Sequence, residues 1–292
     1  MMLSSFFIGL ISVLSRCWAP ILLGIVINIV VEIFMPKKTI LSNFEKKDFL
    51  TLLRASVAGF IISGLSFGVV PTIVSLRKNG ASAPAVAAML AFTPWSGSLG
   101  LMIIGSYVGF LTLLKLLGYS FLLSIILGVA FSVLDKIKLL KPRTIIENDY
   151  LKQENYQGFS SYLAKRMGIK EIKSSSIGIL KNVAVAVLFT ALFELIFSAS
   201  FILKHFSSIY SILYAIPLAT LAELIGEGFS VFAGELYLFG ASLGVVFSIM
   251  VSGVITDINE LSMLAKIFSK RAATFYLVIS LILIVSFAYM LI

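Results

Sequence analysis

The chain has 292 residues, of which 59% are hydrophobic and only 13% are charged, and its mean hydropathy is +1.06. Soluble proteins are roughly 45–50% apolar and about 25% charged, so these proportions exclude a soluble domain. In so apolar a chain, the net charge of +9 indicates membrane topology and contact with lipid headgroups, and we expect no nucleic-acid partner. The single cysteine, Cys17, excludes a disulfide within the chain and a metal site built on cysteines.

The first half consists of apolar segments separated by short polar breaks. Because about 20 residues cross a bilayer core, the chain length predicts an all-α polytopic membrane protein of roughly eight to ten transmembrane helices. The pattern predicts a stretch in the membrane interface, then a span with Trp18 as an interfacial anchor, then longer runs interrupted by glycine and proline. In order, these segments are Phe6–Leu14, Trp18–Met35, Phe49–Leu76, Ala81–Leu117 and Tyr119–Leu134.

The only extended polar stretch covers residues 135–181 and holds ten of the 23 basic residues. A short loop with this excess of lysine and arginine is expected on the cytoplasmic side of the cell membrane. We therefore predict a first transmembrane repeat at 1–135, a basic cytoplasmic loop at 136–176 and a second transmembrane repeat at 177–292. If the protein has a soluble partner, we expect it to bind to this loop. The alternative protein partner is a second copy of the chain, in a homo-oligomer.

The second half repeats features of the first at an offset of about 160 residues. Gly80-Ala81-Ser82 recurs as Gly240-Ala241-Ser242, and Gly68 recurs as Gly228. Two related halves joined by a basic loop are typical of secondary transporters built from structural repeats. The apolar segments of this half are Ile177–Leu203, Ile209–Phe239, Leu243–Val254 and Leu261–Ile292.

Each half contains two apolar segments that are broken by glycine or proline at corresponding places. Backbone groups freed in a broken membrane helix must bind protein, water or ligand, so paired breaks indicate a solute site near the middle of the membrane. Close packing of helices through small residues is the alternative interpretation. The side chains in and beside the breaks are the predicted substrate-binding residues, namely Ser66, Pro71, Thr93, Pro94, Trp95, Ser96, Ser98, Thr256 and Asn259.

Seven carboxylates lie within or at the ends of apolar runs: Glu32, Glu194, Glu223, Glu227, Glu235, Asp257 and Glu260. An ionised group in mid-bilayer costs about 2.5–3.5 kcal/mol, so such residues are expected to face a cavity or a partner. Glu223 and Glu227 are four residues apart and share a helix face, which favours protonation of one of them. We predict Glu223, Glu227 and Asp257 as proton-coupling residues. For Asp257, the alternative is a place at the start of a helix, where the dipole favours acids.

No catalytic or nucleotide-binding motif accompanies these features. The Gly-x-Ser-x-Gly, His-Glu-x-x-His, Walker and Rossmann patterns are absent, and the chain has one histidine, His205. We therefore expect neither an enzyme nor a cofactor, and any transport is expected to use a gradient or another subunit. Two alternatives to a coupled permease stay open: an uncoupled channel or facilitator, and a membrane scaffold that acts through its basic loop.

The order and spacing of several motifs resemble the predicted permease family that includes the ArsP-type organoarsenical efflux permeases and YraQ-type membrane proteins. The first half contributes Gly68-Val69-Val70-Pro71, the run from Ser75 to Ser82, and Phe92-Thr93-Pro94. In the second half, Gly226-Glu227-Gly228 and the run from Gly253 to Asp257 fit the repeated motif. The resemblance implies a secondary permease for a small solute in the cytoplasmic membrane. Together with the acidic residues, it suggests proton-coupled efflux of a metalloid or sulfur compound.

One departure from the family pattern concerns the solute. Family members often carry cysteines just before the Gly-Val-Val-Pro segment, where this chain has Leu65-Ser66-Phe67. Soft metalloids such as trivalent arsenic prefer thiolate ligands. The resemblance therefore implies a permease and leaves its cargo open.

Overall fold

The computed structural model describes residues 2–34, 44–46, 48–62, 69–78, 80–95, 98–140, 169–208, 210–222 and 229–292. These residues form thirteen α-helices and one short 3-10 turn, and they contain no strand. The predicted all-α class is therefore confirmed for the part of the chain that is described.

In the described part, six helices precede the central loop and seven follow it. The first six are α1 (Met2–Phe34), α2 (Phe49–Ile62), α3 (Val69–Lys78), α4 (Ala83–Phe92), α5 (Ser98–Val108) and α6 (Phe110–Lys136), with the 3-10 turn Thr93–Trp95 between α4 and α5. The others are α7 (Ile169–Ile196), α8 (Ala199–Phe206), α9 (Ser211–Ala222), α10 (Phe229–Leu238), α11 (Leu243–Ile255), α12 (Ile258–Ile267) and α13 (Lys270–Met290).

Three single helices among the described residues are long and apolar enough to cross a membrane: Phe6–Ile27 within α1, Phe110–Lys136 and Lys270–Met290. Three bent helix pairs, α4 with α5, α7 with α8, and α11 with α12, raise the number to six when each pair counts as one span. The bends measure 57°, 100° and 48°. These lengths and compositions agree with a multi-pass membrane protein, and the predicted eight to ten spans stay a prediction.

Helix α1 is continuous, so the break expected between Leu14 and Trp18 is wrong. An interfacial position of Phe6–Leu14 stays a prediction. Pro20 lies inside the helix and has no N–H group to donate to the carbonyl of Arg16. Membrane helices tolerate such a proline when neighbouring groups satisfy the freed carbonyl. As a result Trp18, expected at an interface, lies near the middle of the span.

The end of the first half also differs from the prediction. The apolar pattern placed a break between Leu117 and Tyr119, whereas α6 continues through Gly118. The chain breaks instead at Gly109, whose φ of +82° is a left-handed conformation that favours glycine. Gly118 is therefore an ordinary helical position.

The recurring Gly-Ala-Ser segments form the same turn in both halves. Gly80 and Gly240 have φ values of +91° and +94° and end α3 and α10. In each case the following alanine donates its N–H group to the carbonyl five residues earlier, a common glycine-dependent helix end. Ser82 and Ser242 then begin α4 and α11 as N-cap residues. A three-residue match in the sequence thus specifies a shared local structure.

Two buried apolar clusters hold the helices together. In the larger one, α4 packs between α2 and α6, and α11 packs between α9 and α13. The smaller one joins α1, α5, α7 and α10 through residues such as Cys17, Leu99, Val183 and Val231. Helices of the two halves are therefore in direct contact, and the smaller cluster lies beside the charged residues that follow.

Candidate functional site

Helix α1 carries an arginine, Arg16, in the middle of its apolar span. The guanidinium forms a doubly hydrogen-bonded ion pair with Glu235 of α10. Nε donates to Oε1 at 2.9 Å, and Nη2 donates to Oε2 at 2.8 Å. Parallel N–H donors matched to both oxygens of a carboxylate give a strong and directional pair. The pair therefore ties the first half of the chain to the second.

Two hydroxyl groups complete the surroundings of this ion pair. Tyr107, near the end of α5, donates to Oε1 of Glu235 at 2.7 Å, and Ser12 accepts from Nη1 of Arg16 at 2.8 Å. The Glu235 side chain is 1% exposed and that of Arg16 is 36% exposed. A charged side chain at membrane depth faces a polar cavity or water rather than lipid. Glu235 is therefore the buried member of the pair, and Arg16 is the member with an exposed edge.

A second carboxylate, Glu194 near the end of α7, interacts electrostatically with both Arg16 and Glu235. Its Oε1 atom is buried and accepts no hydrogen bond from any residue in the described ranges. Gly9 of α1 lies opposite, since a Cβ atom built there would be 3.7 Å from Oε2 of Glu194. We call Arg16, Tyr107, Glu194 and Glu235 the charged cluster.

Three helix ends meet at the charged cluster. Tyr107, Glu194 and Glu235 each lie in the last turn of their helix, α5, α7 and α10. The C-terminal end of a helix carries partial negative charge, which favours a nearby cation. The helices also approach closely, because a Cβ atom on Gly234 would lie 2.3 Å from the Tyr107 ring. This arrangement favours positive charge at the position that the Arg16 guanidinium occupies.

Sequence reasoning found only part of this site. Glu194 and Glu235 were identified as carboxylates in apolar runs, but their partners were not. Arg16 could have been identified from the sequence, because a charged residue inside an apolar span needs a partner. Tyr107 could not have been identified in this way, since it is one of ten tyrosines and its neighbours in the sequence do not distinguish it.

The first-half residues predicted to bind substrate are partly used for structure. The 3-10 turn Thr93–Trp95 is buried and packs against α11 of the second half. Thr93 donates its hydroxyl to the carbonyl of Leu90 at 2.7 Å. The indole Nε1 of Trp95 donates to the hydroxyl of Ser120 at 2.6 Å, and the Trp95 side chain is 1% exposed. Pro94 is buried in the same turn, and a role of these residues in binding stays a prediction.

Replacing Ser120 by alanine tests what holds Trp95. The indole N–H would lose its buried acceptor, so the free energy of unfolding should fall by about 1–3 kcal/mol. The measurement is thermal unfolding of the purified protein in detergent. Ser132→Ala is the matched control, because that hydroxyl bonds only to a carbonyl of its own helix. Equal effects of the two substitutions would contradict a structural role for the Trp95 hydrogen bond.

The second-half residues surround the bend between α11 and α12. The Thr256 hydroxyl lies 2.9 Å from that of Thr220 and donates to the carbonyl of Ser252 at 2.8 Å. Asp257 is the N-cap of α12, and its carboxylate accepts the N–H of Asn259 at 2.7 Å. The helix-start interpretation considered for Asp257 is therefore realised. Its predicted role in proton coupling, and that of Thr256 and Asn259 in binding, stay predictions.

The remaining predicted residues cannot be placed relative to one another. Ser66, Ser96, Glu223 and Glu227 lie outside the described residues. Pro71 and Ser98 belong to α3 and α5, but their side chains are outside the description too. Whether the four broken segments converge on one solute site therefore stays a prediction.

An open apolar groove of about 410 Å³ lies between α1, α5 and α6. It is bounded by Pro20 and Leu23 of α1, Gly105 and Ser106 of α5, and Phe110 of α6. On α1 the groove begins one turn after Arg16, and on α5 it includes the neighbour of Tyr107. Along both helices the groove thus comes close in sequence to a residue of the charged cluster, and it shares no residue with the cluster.

Comparison with known proteins gives one match. The sequence profile of a family described as ArsP_1, predicted permease, matches residues 2–292. No curated protein and no solved structure matches the chain. The family match extends over both halves and includes all four residues of the charged cluster.

Proposed function

We propose, because the chain belongs to the ArsP_1 family of predicted permeases, that it is a secondary permease moving a small solute across the cytoplasmic membrane. The charged cluster is the observation that carries this proposal. Ionisable groups inside apolar spans are expensive, and they commonly mark ion or solute pathways and proton relays. A scaffold that acted only through its central loop would give no reason for such a cluster.

The two halves are proposed to be structural repeats. Helices α2, α3 and α4 support this, because each begins or ends close to 160 residues before its counterpart, which is α9, α10 and α11 in turn. The contacts between halves support it as well. At the same offset, α3 corresponds to α10, and α5 corresponds to α12. Helix α5 packs on α10, and α3 packs on α12, so each contact is the counterpart of the other. A two-fold relation between the halves explains both contacts.

We further propose that the repeats have inverted topology. Gly9, near the start of α1, faces Glu194, near the end of α7. Further along α1, Cys17 shares a buried cluster with Val183, which lies earlier in α7. This order of contacts is expected of antiparallel helices. Because α1 and α7 are the first long helices of the two halves, their opposite directions are those of an inverted repeat.

The proposed solute combines a polar and an apolar part. The cluster supplies a guanidinium, a phenol and carboxylates, and the groove supplies apolar surface. A small organic metalloid or sulfur compound has both features. We propose that it leaves the cell in exchange for protons, with the basic central loop on the cytoplasmic side.

The test is transport by the purified protein in liposomes that contain a pH-sensitive dye. Trivalent organoarsenicals, sulfur oxyanions and small thiols are supplied one at a time, beside protein-free liposomes. The expected result is solute-dependent proton movement with at least one class. Tyr107→Phe, which removes one hydrogen bond and keeps the ion pair, should slow that movement several-fold.

Two outcomes would contradict the proposal. Solute uptake without proton movement, unchanged in Tyr107→Phe, would favour an uncoupled facilitator. Absence of any flux, together with capture of a soluble protein that is lost when the basic residues of 141–168 are neutralised, would favour a scaffold.

A further inference from the structure

We infer that Glu194 is the residue that binds the coupling proton, and that Arg16 alternates between Glu235 and Glu194 as this proton binds and leaves. The inference rests on the proposed function and specifies how its coupling works. It names a residue other than Glu223, Glu227 and Asp257, which the sequence favoured for this role.

The charges of the cluster do not balance without a proton. One guanidinium faces two carboxylates, and Arg16 already gives two hydrogen bonds to Glu235. With Glu194 ionised, the cluster has a net charge of −1 within apolar helices. One bound proton makes the cluster neutral, and neutrality is strongly favoured at this depth.

Among the residues that the structure describes, Arg16 is the cation that interacts with Glu194. The titratable groups that interact with Glu194 are Arg16 of α1 and Glu235 of α10. Tyr107 of α5 donates to Glu235, and Cys17 of α1 interacts with Arg16 and Glu235. Of these groups, only Arg16 is a cation.

The hydrogen bonds distinguish the two carboxylates. Glu235 accepts three, two from Arg16 and one from Tyr107, whereas Oε1 of Glu194 is buried and accepts none from the described residues. Hydrogen bonds to an ionised carboxylate stabilise the ionised form. We therefore assign the proton of the cluster to Glu194, which lacks the donors that Glu235 has.

The proposed cycle moves one proton and breaks no covalent bond. Hydronium on one side of the membrane transfers its proton to a carboxylate oxygen of Glu194 and becomes water. On the other side a water molecule takes the proton back, leaving Glu194 ionised. Glu194 then competes with Glu235 for Arg16, which loosens the ion pair between the halves. Proton release is thus linked to a movement of α1 against α10.

The experiment is infrared difference spectroscopy of the full-length protein in liposomes without any solute. The C=O stretching band of protonated carboxyl groups is recorded as the pH is raised stepwise. A titrating band is expected in the parent protein and should be lost in Glu194→Gln. Glu194→Asp should restore a titrating band at a shifted frequency, and a normal melting temperature shows that each variant is folded.

Glu260→Gln is the matched control, because Glu260 is also a buried glutamate of the second half, 3% exposed. It should leave the titrating band in place. A band that survives in Glu194→Gln, or that disappears in Glu260→Gln or in Glu227→Gln instead, would overturn the inference.

The inference and the proposed function can fail separately. Solute-driven proton movement that continues in Glu194→Gln would disprove the role of Glu194 and leave the permease intact. A band that depends on Glu194, in a protein that moves none of the solutes supplied, would support the proton site and count against the proposed cargo.

Discussion

Replacing Glu235 by leucine is expected to lower the free energy of unfolding by about 3 kcal/mol, the lower end of the range for a broken buried ion pair, because Arg16 is 36% exposed. Glu235 is 1% exposed and binds Arg16 through both of its oxygens. Its removal leaves the guanidinium inside the protein without its main partner. The measurement is the thermal or denaturant unfolding of the purified variant in detergent.

The double variant Arg16→Met, Glu235→Leu separates the loss of a pair from the loss of one partner. Replacing both members of a buried ion pair by apolar residues of similar volume is often neutral or stabilising, because desolvation offsets much of the attraction. The double variant should therefore recover most of the stability that Glu235→Leu loses. Both Glu235→Leu and the double variant should lack transport, since neither retains an arginine that can alternate between two carboxylates.

Stability and transport together decide what the pair does. Recovery of both in the double variant would mean that the pair serves folding and has no part in transport. If the double variant does not recover stability, the two charges do more than compensate each other. The loss would then come from the packing of the long Arg16 side chain. A double-mutant cycle yields the coupling between the two residues directly.

The sequence was informative wherever a local rule decides the structure. Gly80 and Gly240 had to end helices because only glycine takes a left-handed turn readily, and the following alanine and serine complete that turn. The hydropathy of the chain likewise predicted an all-α membrane protein. The pattern of apolar segments was less reliable at Gly118 and between Leu14 and Trp18, where α6 and α1 continue as single helices.

The charged cluster could not have been predicted in the same way. Arg16 and Glu235 are 219 residues apart, and their meeting depends on how α1, α5 and α10 pack. A single sequence shows that Arg16 needs a carboxylate partner. It does not show which of the seven carboxylates in apolar runs is that partner. The predicted proton carriers were chosen by their spacing within one helix, whereas the structure assembles its carboxylates from separate helices.

Replacing Gly59 by alanine is expected to destabilise the protein by about 1–3 kcal/mol or more, the second large effect. A Cβ atom there would lie 2.0 Å from the carbonyl oxygen of Met89, so α2 and α4 would have to separate. Gly244 is in the same position between α11 and α13, with 2.3 Å to the carbonyl oxygen of Ala288. Gly244→Ala should therefore lower the melting temperature in detergent to a similar extent.

Gly118→Ala is the matched control for both substitutions, since a Cβ atom at Gly118 meets no atom within 4 Å. Alanine favours a helix over glycine by about 0.5–1 kcal/mol, so this variant should be as stable as the parent or slightly more stable. The contrast isolates close backbone contact from helix propensity, because all three glycines lie inside helices. If Gly59→Ala matched Gly118→Ala, α2 and α4 could not be as close as described, and the packing of the first half would need revision.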